Sequence, residues 1–219
     1  MIIGIVGFAG SGKGTVGDIL VNDYDFTKLS FADGVKDSVA AIFGWPRHLL
    51  EGDTDESREF REKRDDFWSA RLGYEFTPRL AMQLMGTESG RNVFHENIWV
   101  HAVERRIKHK QEWEFEDKFV IPDVRFSNEI EAIRNWGGFI VRVVRGKEPE
   151  WFDTAFRHNV AGEHEMHVKY PDVHVSEWAW IGQQFDYLIS NNGTISMLEA
   201  DVKHMLRVMT GPAIMNEVK

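Results

Sequence analysis

The amino-acid sequence predicts an α/β protein with a parallel sheet of about five strands and helices on both faces. Short apolar runs alternate with stretches of helical periodicity along most of the chain, which is the pattern of repeated β-α-β units. The first apolar run also enters a glycine-rich turn that leads directly into a helix-like stretch. At 219 residues the chain is long enough for one domain of this kind with a small insertion.

The predicted strands are short runs of apolar and β-branched residues. The first of them is apolar almost throughout, which is typical of a strand that is buried on both faces. A proline ends the third strand, and a Gly-Gly break precedes the fourth. The predicted strands cover residues 1–7, 26–31, 119–121, 139–144 and 187–190.

Helix boundaries are marked by capping residues and by glycine. Thr77 stands before Pro78 at one predicted helix start, and Gly86 is predicted to end that helix. Ser127 and Thr194 are predicted to cap the starts of two later helices. The predicted helices cover residues 12–22, 33–43, 78–85, 96–110, 127–136 and 195–209.

Two further segments carry weaker signals. Residues 51–71 are dense in charge, and Phe60, Phe67 and Trp68 form only a narrow apolar stripe there, so a solvated helix is predicted. Residues 146–182 hold four of the nine histidines and show little periodicity. They are predicted to form an irregular insertion near the site.

Composition excludes several classes of function. The formal net charge of −9 argues against a general nucleic-acid binder, which presents a basic face. The absence of cysteine excludes disulfides, thiol catalysis and cysteine-bound zinc. No apolar run is long enough to cross a bilayer, and no basic region precedes the first apolar run as in a signal peptide. We therefore expect a cytoplasmic protein with neither membrane nor nucleic-acid partners.

The glycine-rich turn at residues 7–15 reads GFAGSGKGT, which has the spacing of a phosphate-binding loop except that the hydroxyl residue comes one position late. In such loops the backbone N–H groups and the helix N-terminus bind phosphate oxygens. Lys13 is predicted to reach the β- and γ-phosphates, and the Thr15 hydroxyl to meet magnesium. The alternative is a plain glycine-rich turn. The candidate nucleotide-binding residues of the loop are Gly10, Ser11, Gly12, Lys13, Gly14 and Thr15.

Asp123 and Arg125 directly follow the third predicted strand. Ligands of open α/β sheets bind at the carboxyl ends of the strands, so Asp123 is placed to orient magnesium-bound water or to accept a hydrogen bond from a substrate. It could equally cap the next turn. Arg125 suits a bidentate contact to phosphate, and the alternative is an ion pair with Glu129 one helical turn away.

The Lys13-Gly14-Thr15 variant of the loop resembles that of nucleoside monophosphate kinases of the adenylate kinase type. Further motifs follow in order: Thr77-Pro78-Arg79, Gly86-Thr87, Pro122-Asp123-Val124-Arg125, His174-Val175-Ser176-Glu177 and Asn191-Asn192-Gly193-Thr194. Together they resemble the bacteriophage-type deoxynucleoside monophosphate kinases of the P-loop nucleoside monophosphate kinase superfamily. The resemblance extends from the loop to the last predicted helix.

This resemblance implies a three-layer P-loop kinase fold over residues 1–219, with a substrate-binding helical region at about 33–110 and a lid at about 146–182. It implies magnesium-dependent transfer of the γ-phosphoryl group of ATP to a deoxynucleoside monophosphate, and it leaves a homodimer open. If the chain is phage-encoded, it would act in the host cytoplasm. The catalytic residues implied are Lys13, Arg79, Asp123, Arg125 and Arg145. The substrate-binding residues implied are Lys36, Arg79, Gly86, Thr87, Arg91, Trp99, Asp123, Arg125 and Glu129, while Asn192 would lie beside the adenine.

Several of these roles have plain alternatives. Trp99 could stack on a base or could belong to the core. Lys36 could contact the substrate phosphate or could be a solvated lysine in the first turn of its helix. Arg91 lies in a Gly-Arg pair that only some members of the resembled family carry. The motif at 174–177 is expected to fix the base of the lid by local hydrogen bonds and not to act in catalysis.

Histidines 158, 164, 167 and 174 raise the question of a metal site, but their spacing does not match HExxH and no thiolate is available. We expect solvated histidines of the lid instead. Two rival functions remain: a P-loop kinase that acts on another small phosphorylated metabolite such as dephospho-coenzyme A, and a non-enzymatic nucleotide-binding switch. The switch is disfavoured because the chain lacks the Asn-Lys-x-Asp motif that reads guanine.

Overall fold

The computed structural model describes residues 1–211 of the chain, which divide into two compact units. The first, called the sheet unit, comprises Met1–Leu29 and the described residues from Lys110 onward. The second, called the helical unit, comprises Ser30–His109. No helix in the described range combines the length and the apolar character needed to cross a membrane.

The described elements alternate between strand and helix as predicted. The strands are β1 (Ile2–Val6), β2 (Thr27–Lys28), β3 (Phe119–Ile121), β4 (Phe139–Val144) and β5 (Tyr187–Ser190). The helices are α1 (Lys13–Tyr24), α2 (Asp33–Phe43), α3 (Asp55–Glu62), α4 (Asp66–Leu72), α5 (Pro78–Leu84), α6 (Ile98–His109), α7 (Ser127–Asn135), α8 (Phe152–Ala161), α9 (Met166–Lys169) and α10 (Ile195–Thr210). Single 3-10 turns lie at Arg47–Leu50 and Val175–Glu177, and π-helical segments at Met85–Phe94 and Lys110–Glu114.

The sheet has the strand order β2-β3-β1-β4-β5, and every neighbouring pair is parallel. All five residues of β1 are buried, as expected for a central strand with both faces covered. Because the strands are parallel, the residues that follow β1, β3 and β4 all emerge at one edge of the sheet. The predicted α/β class with five parallel strands is confirmed.

The core of the sheet unit joins the sheet to the apolar faces of α1 and α10. Leu20 of α1 and Val202 of α10 are completely buried in it. Thr194 caps α10 as predicted, because its side chain accepts a hydrogen bond from the Met197 N–H at 3.3 Å. β2 is shorter than the predicted strand at 26–31, since the Ser30 N–H bonds to the Asp33 carboxylate (3.1 Å) and begins the turn into α2.

The helical unit has its own core, built around Val39, Trp45, Leu50 and Phe76. Trp45 stacks on Phe43 with ring centroids 4.8 Å apart. The single solvated helix predicted at 51–71 is wrong. Two helices, α3 and α4, occupy the segment, each with its own N-cap, and both pack an aromatic side chain against this core.

Two further predictions about helices are corrected. Gly86 does not end the helix that begins at Pro78, because helical backbone continues beyond α5 as the wider π segment Met85–Phe94. Segments of this type occur frequently at functional sites.

Residues 146–182 are not irregular, since they contain α8 and α9. Aromatic packing explains this order, because Trp151 and Trp180 lie 5.3 and 5.0 Å from the ring of Phe8 in the glycine-rich loop.

Candidate active site

The loop between β1 and α1 depends on glycine at three positions. Gly7, Gly10 and Gly12 have φ angles of 145°, 76° and 101°, in the region that L side chains rarely adopt. A Cβ at Gly12 would also collide with the side-chain amide of Asn191, whose Nδ2 donates to the Ser11 carbonyl at 2.9 Å. Gly10 and Gly14 face open space. Asn191 thus holds the loop on one side, while the backbone at Gly10 and Gly14 is open to a ligand, as a phosphate-binding loop requires.

Lys13 begins α1 and turns back over the loop. Its ammonium group donates to the carbonyls of Gly7 (2.7 Å) and Phe8 (2.8 Å). The pKa of Lys13 is lowered to about 8, chiefly by burial and next by the positive charge of Arg125, while Glu177 and Asp123 oppose the shift. These charges place Lys13 in one electrostatic cluster with residues that follow β3.

We predict that binding of a polyphosphate such as that of ATP to this loop would take up a proton near the folded-state pKa of Lys13. The free protein loses the Lys13 proton above a pKa of about 8, and a bound polyphosphate favours the charged ammonium. Calorimetric titration at about pH 8.5, in two buffers with different ionisation enthalpies, measures this uptake. Lys13→Met should abolish it, whereas a buffer-independent enthalpy with the native chain would contradict the prediction.

The same pKa fixes how Lys13 contributes to stability. The unfolded chain keeps the proton up to the ordinary value of 10.5, so between about 8 and 10.5 the unfolded state binds more protons than the folded one. The sign of linkage then requires that the contribution of Lys13 to the free energy of unfolding rises with pH across this window. Below pH 8 both states are protonated, and the cost of burying the charge is constant.

Arg125 follows β3 and reaches residues of the 3-10 turn at 175–177. Its Nη1 donates to the Glu177 carboxylate at 2.8 Å and to the Ser176 hydroxyl at 3.3 Å. The predicted local hydrogen bonds of this motif are confirmed, since His174 Nδ1 lies 2.9 Å from the Ser176 hydroxyl and accepts from the Ser176 N–H at 3.3 Å. The side chain of Arg125 therefore pairs with Glu177 rather than with Glu129.

Glu129 lies within α7, and its side chain is directed at the start of the helix. The carboxylate is buried and accepts from the backbone N–H groups of Arg125 (2.8 Å) and Phe126 (3.1 Å). The predicted N-cap Ser127 is off by one residue, because the cap position is Phe126, which has no acceptor side chain and relies on Glu129. Glu129 thus holds the backbone that carries Arg125.

Glu129→Ala is expected to lower the free energy of unfolding by about 1–3 kcal/mol, because two partly buried backbone N–H groups lose their acceptor. Urea denaturation measures this. Glu131→Ala, on an exposed position of the same helix, is the matched control and should change stability little. Unchanged stability of Glu129→Ala combined with a raised KM would instead indicate a contact with substrate.

Two arginines near the end of β4 have different surroundings. Arg142 lies over the rings of Phe152 and Trp180, 5.2 Å from each centroid, and pairs with Glu148. Arg145, the predicted site residue, is exposed, and the described part of the chain gives it no ion pair. Its guanidinium is therefore open to a ligand.

The two asparagines after β5 have different partners. Asn191 contacts the phosphate loop, as described above, whereas the Asn192 side chain accepts from the Gly146 N–H at 2.7 Å. The contact of Asn191 with the loop was not predicted, and the place of Asn192 beside the adenine stays a prediction. The turn containing both was evident in the sequence, but adjacent side chains point in different directions and spacing could not decide between them.

The remaining predicted residues belong to the helical unit. Lys36 is largely buried and pairs with Glu51 at 2.6 Å, and Arg79 pairs with Glu62. Trp99 is 9% exposed and donates its indole N–H to the Gly86 carbonyl at 2.8 Å, so its core interpretation is the one that the packing favours. Thr87 is exposed and Arg91 half-buried, both in the π segment.

A network of six charged side chains around Lys36 was not predicted. Arg47 pairs with Asp33 (3.1 Å), Asp37 (2.6 Å) and Glu51, and Arg106 pairs with both aspartates. Arg106 and Asp37, for example, are 69 positions apart along the chain. No local pattern could have indicated their meeting.

Three histidines of the predicted lid lie close together, but they do not form a metal centre. His158 lies 5.4 Å from His164, 5.5 Å from His167 and 4.7 Å from Trp178, measured between ring centroids. Burial lowers the pKa of His158, and the two neighbouring histidines add to the effect. Over residues 1–211, no group of histidine and carboxylate side chains is arranged to hold a metal ion.

A glycine-rich phosphate loop follows the central strand of the parallel sheet, and a lysine folds over that loop. An acidic and a basic residue follow the adjacent strand. Together these features define a P-loop kinase. A family model described as deoxynucleotide monophosphate kinase matches residues 53–158. A protein of Acanthamoeba polyphaga mimivirus, provisionally named a deoxynucleotide monophosphate kinase, is 30% identical over 66% of this chain and 74% of its own length. The chain therefore belongs to the deoxynucleotide monophosphate kinase family and is a phosphotransferase.

Other similarities are more limited. The deoxynucleoside-5'-monophosphate kinase of Escherichia phage T5 is 45% identical over 58 residues, which are 26% of this chain and 22% of the phage protein. Among solved structures, dephospho-CoA kinase from Campylobacter jejuni is 14% identical, with a TM-score of 0.44 over 95% of this chain and 96% of that one. The family resemblance predicted from the motifs is confirmed by the family model and the mimivirus relative.

Proposed function

We propose that this enzyme transfers the γ-phosphoryl group of ATP to a deoxynucleoside monophosphate in the presence of magnesium, giving ADP and the deoxynucleoside diphosphate. The observation that carries the proposal is the placement of Lys13 over a loop whose open face is lined by glycine, with the charges of Asp123 and Arg125 close enough to shift its pKa. Family membership supports the acceptor class.

The loop fits the polyphosphate of ATP. In the described part of the chain, Gly10 and Gly14 have no neighbours where a side chain would stand, so their backbone can approach phosphate oxygens closely. Among residues 1–211, the buried Ser11 hydroxyl has no hydrogen-bond partner, which leaves a polar atom of the loop without a protein contact there. The N-terminus of α1 directs its free N–H groups and its dipole toward the same place.

Thr15 is exposed in the first turn of α1 and would hold the magnesium that accompanies ATP. When bound, the metal would neutralise charge on the phosphates. Lys13 would bind the β- and γ-phosphates, and Arg125 and Arg145 would stabilise charge on the transferring group. Asp123 would orient the acceptor or metal-bound water. Asn192, tied to Gly146, would shape the wall beside the adenine.

The helical unit would supply the acceptor site. Lys36, Arg79 and Arg91 would bind the monophosphate, and each would exchange its present partners for the substrate. Trp99 would shape the Gly86-Thr87 segment through its hydrogen bond to the Gly86 carbonyl, and its stacking on a base stays a prediction. Glu129 would act indirectly, through the backbone of Arg125. Residues 146–182 would serve as a lid that excludes water from the reaction.

The acidic net charge of −9 supports a small-molecule substrate rather than nucleic acid. The relatives named above are viral, which supports action in the cytoplasm of a host cell. A homodimer would form without substrate, and measuring the mass of the enzyme in solution would test for it.

An acceptor screen tests the proposal. The purified chain is incubated with ATP and magnesium and with each deoxynucleoside or ribonucleoside monophosphate, or with dephospho-coenzyme A, and the products are separated by anion exchange. We expect ADP and the matching deoxynucleoside diphosphate in equal amounts, and no product when a chelator removes magnesium. Phosphorylation of dephospho-coenzyme A alone, or GTP binding without transfer to any acceptor, would overturn it.

A further inference from the structure

The 3-10 turn at Val175–Glu177 belongs to the predicted lid and contacts Arg125 directly. Arg125 is 45% exposed in its side chain, and its contacts in residues 1–211 both use Nη1. The opposite edge of the guanidinium, formed by Nε and Nη2, has no partner among these residues. A planar guanidinium held at one edge can offer the other edge to a phosphate in a fixed plane.

The turn itself is firmly anchored. His174 caps it by accepting from the Ser176 N–H, and the same ring nitrogen holds the Ser176 hydroxyl. The next residue, Trp178, is 3% exposed. Its carbonyl and that of Ile181 both accept hydrogen bonds of 2.8 Å from Asn159 of α8. Glu177 therefore extends from a rigid support, and this support is a property of the packing rather than of the ion pair.

We infer that Glu177 is a positioning residue for phosphoryl transfer, which orients the guanidinium of Arg125 with the help of Ser176 so that its free edge faces the phosphate. This inference rests on the proposed function. A side chain as long as arginine loses much rotational freedom when it binds a phosphate, and a partner that restricts it beforehand lowers that cost. Glu177 also opposes the lowering of the Lys13 pKa, so its charge acts on both cations.

Glu177→Gln removes the charge but keeps the size of the side chain. We expect kcat/KM to fall about tenfold, within the range that coupled neighbours show. In the Arg125→Ala background, Glu177→Gln should lower kcat/KM hardly further, because the arginine that Glu177 positions is absent. Glu177→Asp should recover part of the rate. Glu163→Gln, which removes an exposed glutamate of the same segment that pairs with Arg157, is the matched control and should match the native rate.

A readout independent of activity separates this inference from the proposed function. In ¹⁵N NMR spectra, the Arg125 side chain, assigned by its loss in Arg125→Lys, should show slow guanidinium rotation in the native chain and fast rotation in Glu177→Gln. Equal losses of kcat/KM in the native and Arg125→Ala backgrounds, or an unchanged Arg125 signal, would overturn the inference. If the native chain phosphorylates no acceptor, the proposed function fails, and the NMR result still decides whether Glu177 restrains Arg125.

Discussion

Lys13→Ala is expected to lower kcat by at least about 100-fold, the usual cost of removing one charged or hydrogen-bonding group that stabilises a transition state. Lys13 is the cation that the loop itself holds, through hydrogen bonds to the carbonyls of Gly7 and Phe8. These bonds use two of the three N–H donors of its ammonium group. Steady-state kinetics with ATP and the preferred deoxynucleoside monophosphate measure the loss.

The fold should survive this substitution. Burial disfavours the charged form of Lys13, as its lowered pKa shows, so removing the charge also removes a cost. The melting temperature should therefore stay within about 4 °C of the native value, the shift that 1 kcal/mol produces in a chain of this size. Lys28→Ala, at an exposed lysine that pairs with Asp18, is the control and should keep full activity. Near-native turnover of Lys13→Ala would show that this loop does not bind the transferred phosphate.

Arg125→Ala is expected to lower kcat/KM by about 100-fold, because the developing charge on the phosphoryl oxygens loses a bidentate donor. Arg125→Lys should recover only part of this, since lysine keeps the charge but not the planar fork. Arg125→Ala should also raise the pKa of Lys13, because the charge of Arg125 is one cause of its depression; Arg125→Lys, which keeps the charge, should leave that pKa depressed. For Arg125→Ala the proton uptake on ATP binding should then begin at a higher pH.

Arg207→Ala, an exposed arginine of α10, is the matched control for loss of a positive charge. It should leave both kcat/KM and the onset of proton uptake unchanged. If Arg125→Ala keeps the native kcat/KM, the role of Arg125 is limited to its structural ion pair with Glu177.

Much of the fold could be predicted because its signals are local. An apolar strand, a glycine-rich turn and a helix start are written in consecutive residues, and the parallel sheet follows from their alternation. For the same reason Asp123 and Arg125 could be predicted to follow β3 and Lys13 to begin the helix after the loop, while their roles stay predictions. The loop glycines were also predictable, since a positive φ at Gly10 and Gly12 is a requirement of the motif.

The rest depends on contacts between distant parts of the chain. Glu177 was noted as part of a motif, but its bond to Arg125 spans 52 positions, and that of Asn191 to Ser11 spans 180. The order within residues 146–182 was missed because it comes from aromatic packing on Phe8 and not from helical periodicity. The π segment beyond Leu84 was missed because glycine ordinarily ends a helix, whereas Gly86 here is held by the indole of Trp99.

The packing around Phe8 has a spectroscopic consequence. Phe8 belongs to the phosphate loop, yet its ring is enclosed by Trp151 and Trp180, two of the eight tryptophans of the chain. A displacement of the loop therefore changes the surroundings of two indoles directly. Intrinsic tryptophan fluorescence should therefore report ligand binding at the loop, and its time course should give the binding rate without an added label.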